Sequence, residues 1–181
     1  MELVQKGQEA ELDSIKGLKA TLTWHENADF DLAALYEMKD GAEGLIYFNN
    51  KGDLNISPFI KVGGDAGVGD TVDSGGENKE TLKMTKLDEN IKAIHLVCWD
   101  WGKIQSGGPA RFTESDVKLE IVDDSGNNHN VKLDCGDMGN VVIVATIDNS
   151  SPIGAKFVNT SKAGTLKGLS ESKQLLEIAH Q

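Results

Sequence analysis

Apolar and polar residues alternate with a period of two through much of this chain, the spacing of strands whose successive side chains point to opposite faces. Residues 18–24, LKATLTW, set Leu18, Ala20, Leu22 and Trp24 on one face. Residues 30–36 (FDLAALY), 44–48 (GLIYF) and 80–84 (ETLKM) are short apolar or alternating runs of strand length. Residues 91–99, IKAIHLVCW, put Ile94, Leu96 and Cys98 on one face and His95, Val97 and Trp99 on the other. Residues 117–122 aim Val117, Leu119 and Ile121 inward, with Lys118 and Glu120 outward, and residues 130–133 and 141–147 follow. Lys39-Asp40-Gly41 and Asp124-Ser125-Gly126-Asn127 are tight-turn sequences, and the second predicts a hairpin. Period-two runs bounded by turn clusters predict an all-β fold, a β-sandwich of two mostly antiparallel sheets. Ser170 is placed to cap a short helix over 171–179, with Leu175 and Ile178 three apart, and this is the one helix the pattern predicts with its cap. The chain divides into a sandwich domain over 1–166 and a C-terminal helical segment over 167–181.

At 181 residues the chain is long enough to bury one sizeable core. Its net charge of -11 argues against nucleic acid as a partner and against simple attraction to anionic lipid. Apolar runs fall short of the roughly 20 residues that span a bilayer. The N-terminal MELVQKGQEAEL lacks the apolar core of a secretory signal, so a cytoplasmic location is expected. Cys98 and Cys135 are far apart in sequence, and two reduced thiols are the expectation.

Charge and glycine concentrate in residues 63–80, GGDAGVGDTVDSGGENKE. Asp65, Asp70, Asp73, Glu77 and Glu80 stand there against Lys79. Clustered carboxylates repel, and glycines let a backbone turn its carbonyls inward. Those oxygens are the ligands a hard cation such as Ca²⁺ requires; a solvated acidic loop is the plainer alternative. The P-loop spacing of residues 64–71 fails because Asp70 stands where the lysine must be. An EF-hand counted from Asp65 fails because Gly67, Gly69 and Gly76 occupy ligand positions. The repeated nonapeptide of calcium-binding β-helices fails because the loop occurs once. A second acidic pair, Asp29 and Asp31, opens the 30–36 run. At i and i+2 in a strand they project together while Phe30 points to the core. Either they flank a strand end in solvent or they form half of a metal site.

The blocks LVQKGQEAEL and LTWHENADFDL, the acidic loop closing in Glu77-Asn78-Lys79-Glu80, and IKAIHLVCW resemble the TerD-type family of bacterial tellurite-resistance and stress proteins. KIQSGGPARF followed by VKLEIVDDSG resembles the family's next hairpin, and the likeness runs over roughly residues 3–164. The resemblance implies a β-sandwich that binds calcium between the Asp-Phe-Asp block and the acidic loop. It implies a non-enzymatic part of stress-response assemblies, with other stress-complex proteins as partners and peripheral association with the inner membrane face. By position Asp29, Asp31, Asp65 and Glu80 match family carboxylates, while Asp70, Asp73 and Glu77 fall in the variable middle. Ala33 and Ala66 stand where the family places further oxygen ligands, which implies a lost metal position or lower affinity.

Charge suggests a switch: carboxylates that repel in the apo chain share one cation when calcium binds, and the loop orders against the sheet. The competing classes are a calcium-dependent adaptor docking on lipid or protein, and a carboxylate-based hydrolase. For the latter, Asp29, Asp31 and Asp100 are the candidates, Asp100 lying between Trp99 and Trp101. The plainer account of Trp99-Asp100-Trp101 is a strand end with one tryptophan in the core and one at the rim. His25, His95, His129 and His180 are scattered, His95 is read as part of a sheet face, and His180 lies near a fraying end. Nothing pairs histidines or cysteines at ligand spacing, which argues against a transition-metal site.

Overall fold

A computed structural model describes residues 1–12, 17–25, 28–63, 78–110, 112, 115–136 and 139–181. Among these residues, two six-stranded sheets face each other. The first runs, in spatial order, β1 (Glu2–Leu3), β10 (Asn128–Lys132), β9 (Lys118–Asp123), β3 (Leu18–Trp24), β7 (Asn78–Met84) and β6 (Ile60–Val62). The second runs β2 (Glu9–Leu12), β12 (Ala155–Gly164), β11 (Val141–Asp148), β8 (Ile91–Asp100), β4 (Phe30–Met38) and β5 (Glu43–Ile46). The short β1 pairs parallel with β10, and the other pairings are antiparallel. The chain is the all-β sandwich that its period-two pattern predicts.

Alternation places the main core. Leu18, Ala20, Leu22 and Trp24 of β3, Leu119 and Ile121 of β9, and Ile94, Leu96 and Cys98 of β8 are buried in one cluster between the sheets. The opposite face of the second sheet is not left to water. Ala33, Leu35, Val97, Trp99, Val141 and Ile143 form a second cluster there, covered by α1 (Trp101–Ser106) and α2 (Ser172–Ala179). Strands covered on both faces read as nearly continuous apolar runs, and the VVIVATI of β11 is such a run, buried from Val141 to Ile147.

Both helices have local causes. Asp100 accepts from the Lys103 backbone N–H at 3.1 Å and caps α1, which ends at Gly107 in the left-handed region at φ 76°. The sequence pattern did not single out this helix. For α2 the N-cap is Glu171 rather than Ser170. Glu171 and Gln174 make a reciprocal capping box, and Gln174 Oε1 also accepts from the Ser170 N–H at 2.8 Å. Leu175 and Ile178 are buried, as their spacing predicts.

β1, β2, β6 and β12 were not legible as strands. β12 carries polar residues on a buried face: Asn159 and Ser161 are almost fully enclosed. Asn159 Nδ2 donates to the carbonyls of Leu3 at 2.9 Å and Lys132 at 3.0 Å, tying the second sheet to β1 and β10 of the first. β11 contains a bulge: its register shifts between Ile143 and Ala145 against both neighbours. Val144 and Ala145 both enter the main core, so Thr146 turns to the outer face, which strict alternation from Ile143 would not allow.

Candidate functional site

The acidic start of β4 is anchored by aromatic packing. Phe30 is buried, its ring centroid 5.5 Å from that of Trp24 and 5.1 Å from that of Phe112. With Phe30 inward, Asp31 takes the outer face beside Trp99, whose indole N–H donates to Asp31 Oδ2 at 3.2 Å. β5 pairs with β4 only from Ala34 to Glu37, leaving the start of β4 with an uncovered edge. Glu80, on β7 of the opposite sheet, reaches across and accepts from the Leu32 N–H at 2.9 Å through Oε2. Two acidic residues far apart in sequence are thereby brought to one end of the sandwich.

Asp31 and Glu80 line a single cleft of about 10 Å³, together with Lys51, Phe48 and Gly63, roughly the space of one water molecule or ion. Burial pushes the Cys98 thiol well up, and the negative charges of Asp31, Glu80 and Asp100 push it further. Lys51 brings a positive charge to the same wall. The acidic segment starts and ends here. Gly63 donates its N–H to the Thr81 carbonyl at 2.6 Å, and a Cβ on Gly63 would stand 2.1 Å from Thr81 Oγ1, so only glycine lets the chain leave β6 this close to β7. At the other end Asn78 is buried opposite Trp24 in the β3–β7 ladder.

Of the residues singled out in the sequence, Asp31 and Glu80 meet in the cleft. Asp29 is half-buried just ahead of β4 and is not among the cleft walls. Asp65, Asp70, Asp73 and Glu77 lie outside the described residues. The donor set that the cleft presents is carboxylate oxygen, which fits a hard cation better than a transition metal. Asp100 is engaged as the cap of α1, and Trp99 is in the second core with Trp101 half-buried at its margin.

No protein-family model and no curated protein matches the sequence. Solved structures do match the architecture. SAV2460, a protein of unknown function, superposes with a TM-score of 0.58 over 84% of this chain and 94% of its own, at 11% identity. SCO6318 from Streptomyces coelicolor A3(2), described as a homologue of the telluride resistance protein TerD, gives a TM-score of 0.55 over 91% of this chain and 96% of its own, at 12% identity. The fold is TerD-like.

This TerD-like sandwich carries a second polar cluster at the far end of β4, and the sequence pattern did not expose it. Glu37, His95, Thr146 and Thr160 form a row across four neighbouring strands of the second sheet, on the face that α2 covers. His95 Nε2 lies 2.7 Å from Glu37 Oε2, and His95 Nδ1 lies 2.9 Å from Thr146 Oγ1. Thr146 Oγ1 is 2.6 Å from Thr160 Oγ1. From the end of α2, His180 brings its Nε2 to 2.9 Å from Glu37 Oε1. The histidines that look scattered in sequence include two that meet in space, and His180 is docked rather than fraying. Burial lowers the His95 pKa and outweighs the raising effect of Glu37. Burial alone would raise the Glu37 carboxyl, yet hydrogen bonds from His95 and His180 hold it below its ordinary value. The available signal was weak: the outward-facing His95 and Glu37 lie on strands whose pairing only the fold reveals.

Proposed function

We propose that this protein is a non-enzymatic calcium-binding protein of the stress-response type, using the acidic glycine-rich segment as its binding or switch surface. One observation carries the reading: Asp31 and Glu80, from opposite sheets, line an ion-sized cleft at which both ends of that segment are held. Asp31 and Glu80 would hold calcium there, with carboxylates of residues 64–77 completing the set, and the ion would supply the positive charge those groups need in order to sit together. Resistance to tellurium compounds, as described for TerD itself, is the physiological setting this reading suggests. Other stress proteins would then be the partners, in the cytoplasm or at the inner membrane face.

The chain's own residues set the terms. Glu80 ties the start of β4 to β7, so a change in its charge is felt by both sheets. Gly63, just after β6, and Asn78, at the start of β7, flank the segment, so ion binding that involves the segment should be reported at these two points. Calorimetry of metal-stripped protein tests the reading. Ca²⁺ should bind saturably and raise Tm more than equal Mg²⁺. Glu80→Gln keeps an oxygen for the Leu32 N–H, and Asp31→Asn keeps one for Trp99. Each should therefore preserve the fold while weakening Ca²⁺ by about tenfold or more, with Glu89→Gln as an exposed control. Absence of heat and of any Tm shift with either ion would remove the site.

A further inference from the structure

We propose that Glu37, His95 and His180 form a second metal site, for a divalent transition ion of the zinc class. It is separate from the carboxylate cleft: Asp31 and Glu37 sit at opposite ends of β4, roughly 20 Å apart at strand rise. Each residue offers one ligand atom, and the three atoms lie within 4.8 Å of one another. Both histidines present Nε2, and they face the two oxygens of one carboxylate. Two imidazoles and a carboxylate with an open side are the donor set of zinc sites that keep a coordination position for water or ligand. Imidazole nitrogen selects this class of ion over calcium.

The surroundings are those of a built site. His95 is aimed by Thr146, and Thr146 by Thr160, so the ring that would bind is oriented from behind, as metal-ligating histidines are. The β11 bulge that turns Thr146 outward serves this row. Docking of α2 does not require the row. Leu175 and Ile178 already seat the helix, and Lys162 Nζ donates to its last turn at the Ala179 carbonyl at 2.8 Å. An aliphatic pair at 37 and 95 would pack there without burying a carboxylate and an imidazole. The site is also reachable. His180 is 54% exposed while His95 and Glu37 are 7% and 12% exposed, giving an open side over a firm base. A cavity of about 450 Å³ opens over the cluster. Lys6, Lys92 and Lys162 in its wall are balanced by Glu9, Asp148 and Glu37, so a cation meets no net repulsion. On binding, the single ring proton of His95 would sit on Nδ1 and donate to Thr146 Oγ1, leaving the Nε2 lone pair to face the ion.

The test uses tag-free full-length protein with Ca²⁺ present throughout. Zn²⁺ is titrated by calorimetry, and Co²⁺ is followed by its visible absorption. The expected result is one tight site per chain and Co²⁺ bands typical of four or five ligands. His180→Ala and Glu37→Gln should each weaken binding by about tenfold or more, while the Ca²⁺ response is unchanged. Glu80→Gln should do the reverse, so loss of one site is distinguishable from loss of the other. No saturable Zn²⁺ binding, or binding that survives both substitutions with the fold intact by circular dichroism, would overturn the proposal.

Discussion

Asn159 is one place where a single side chain ties the two sheets together, and its replacement gives a sharp test of how this sandwich is held. Its amide is fully enclosed, with 0% exposure. Nδ2 serves the Leu3 and Lys132 carbonyls, and Oδ1 accepts from the Ser161 hydroxyl, which in turn accepts from the Asp134 N–H at 2.8 Å. Asn159→Ala leaves two buried carbonyls and one hydroxyl without this partner. At about 1 kcal/mol for each group, the loss is about 3 kcal/mol. For a chain of this size that corresponds to a Tm lower by roughly 6–12 °C. Asn159→Asp is the more telling variant. It keeps the volume, removes both amide hydrogens and sets a buried charge against two carbonyl oxygens, so its loss should at least equal that of the alanine. Urea unfolding followed by tryptophan fluorescence reads the change as a lower midpoint at constant slope. Either variant lying within about 1 kcal/mol of the parent would refute this, since the carbonyls would then have found other donors.

Two further predictions concern the outer layer. Leu175 of α2 is fully buried against the second sheet, so Leu175→Ala should cost about 2–5 kcal/mol and raise amide exchange in 172–179 before it does so in β8. If exchange rises equally in both, α2 is not a separately opening unit. In metal-free protein, acid should destabilise the fold in two stages. An unfolded histidine takes up its proton near about pH 6.5, whereas buried His95 does so only at lower pH. The unfolded chain therefore binds more protons in that window, and stability falls as pH drops from about 6.5 toward the lowered value. Glu37, held below the usual carboxylate range, adds a second loss as pH falls through its own lowered value. Tm measured from about pH 7 to about 3 checks this, and His95→Gln should flatten the upper part of the curve. A flat profile for the parent chain would contradict the assigned direction.

Much of the fold could be read from the chain because strand alternation is a local property. β3, β8 and β9 show their inner faces in sequence, and Leu175 and Ile178 show the buried side of α2. The DSGNN turn is legible for the same reason, since Asp123 binds the backbone of Ser125 and Asn127 within the turn itself. The strands β1, β2, β6 and β12 were hidden for physical causes. Three are short, and β12 buries asparagine and serine whose partners lie on the other sheet.

The sequence by itself determined the sandwich, the buried faces of its longer strands and the acidic character of the 63–80 segment, because each depends on neighbours within a few residues. The tertiary structure decided which acids share a cleft, since Asp31 and Glu80 come together only when β4 and β7 face each other across the core. It likewise decided that His95 and His180 meet at Glu37. That meeting depends on strand register, on a bulge in β11 and on the docking of α2, and these are properties of long-range pairing that no local spacing encodes.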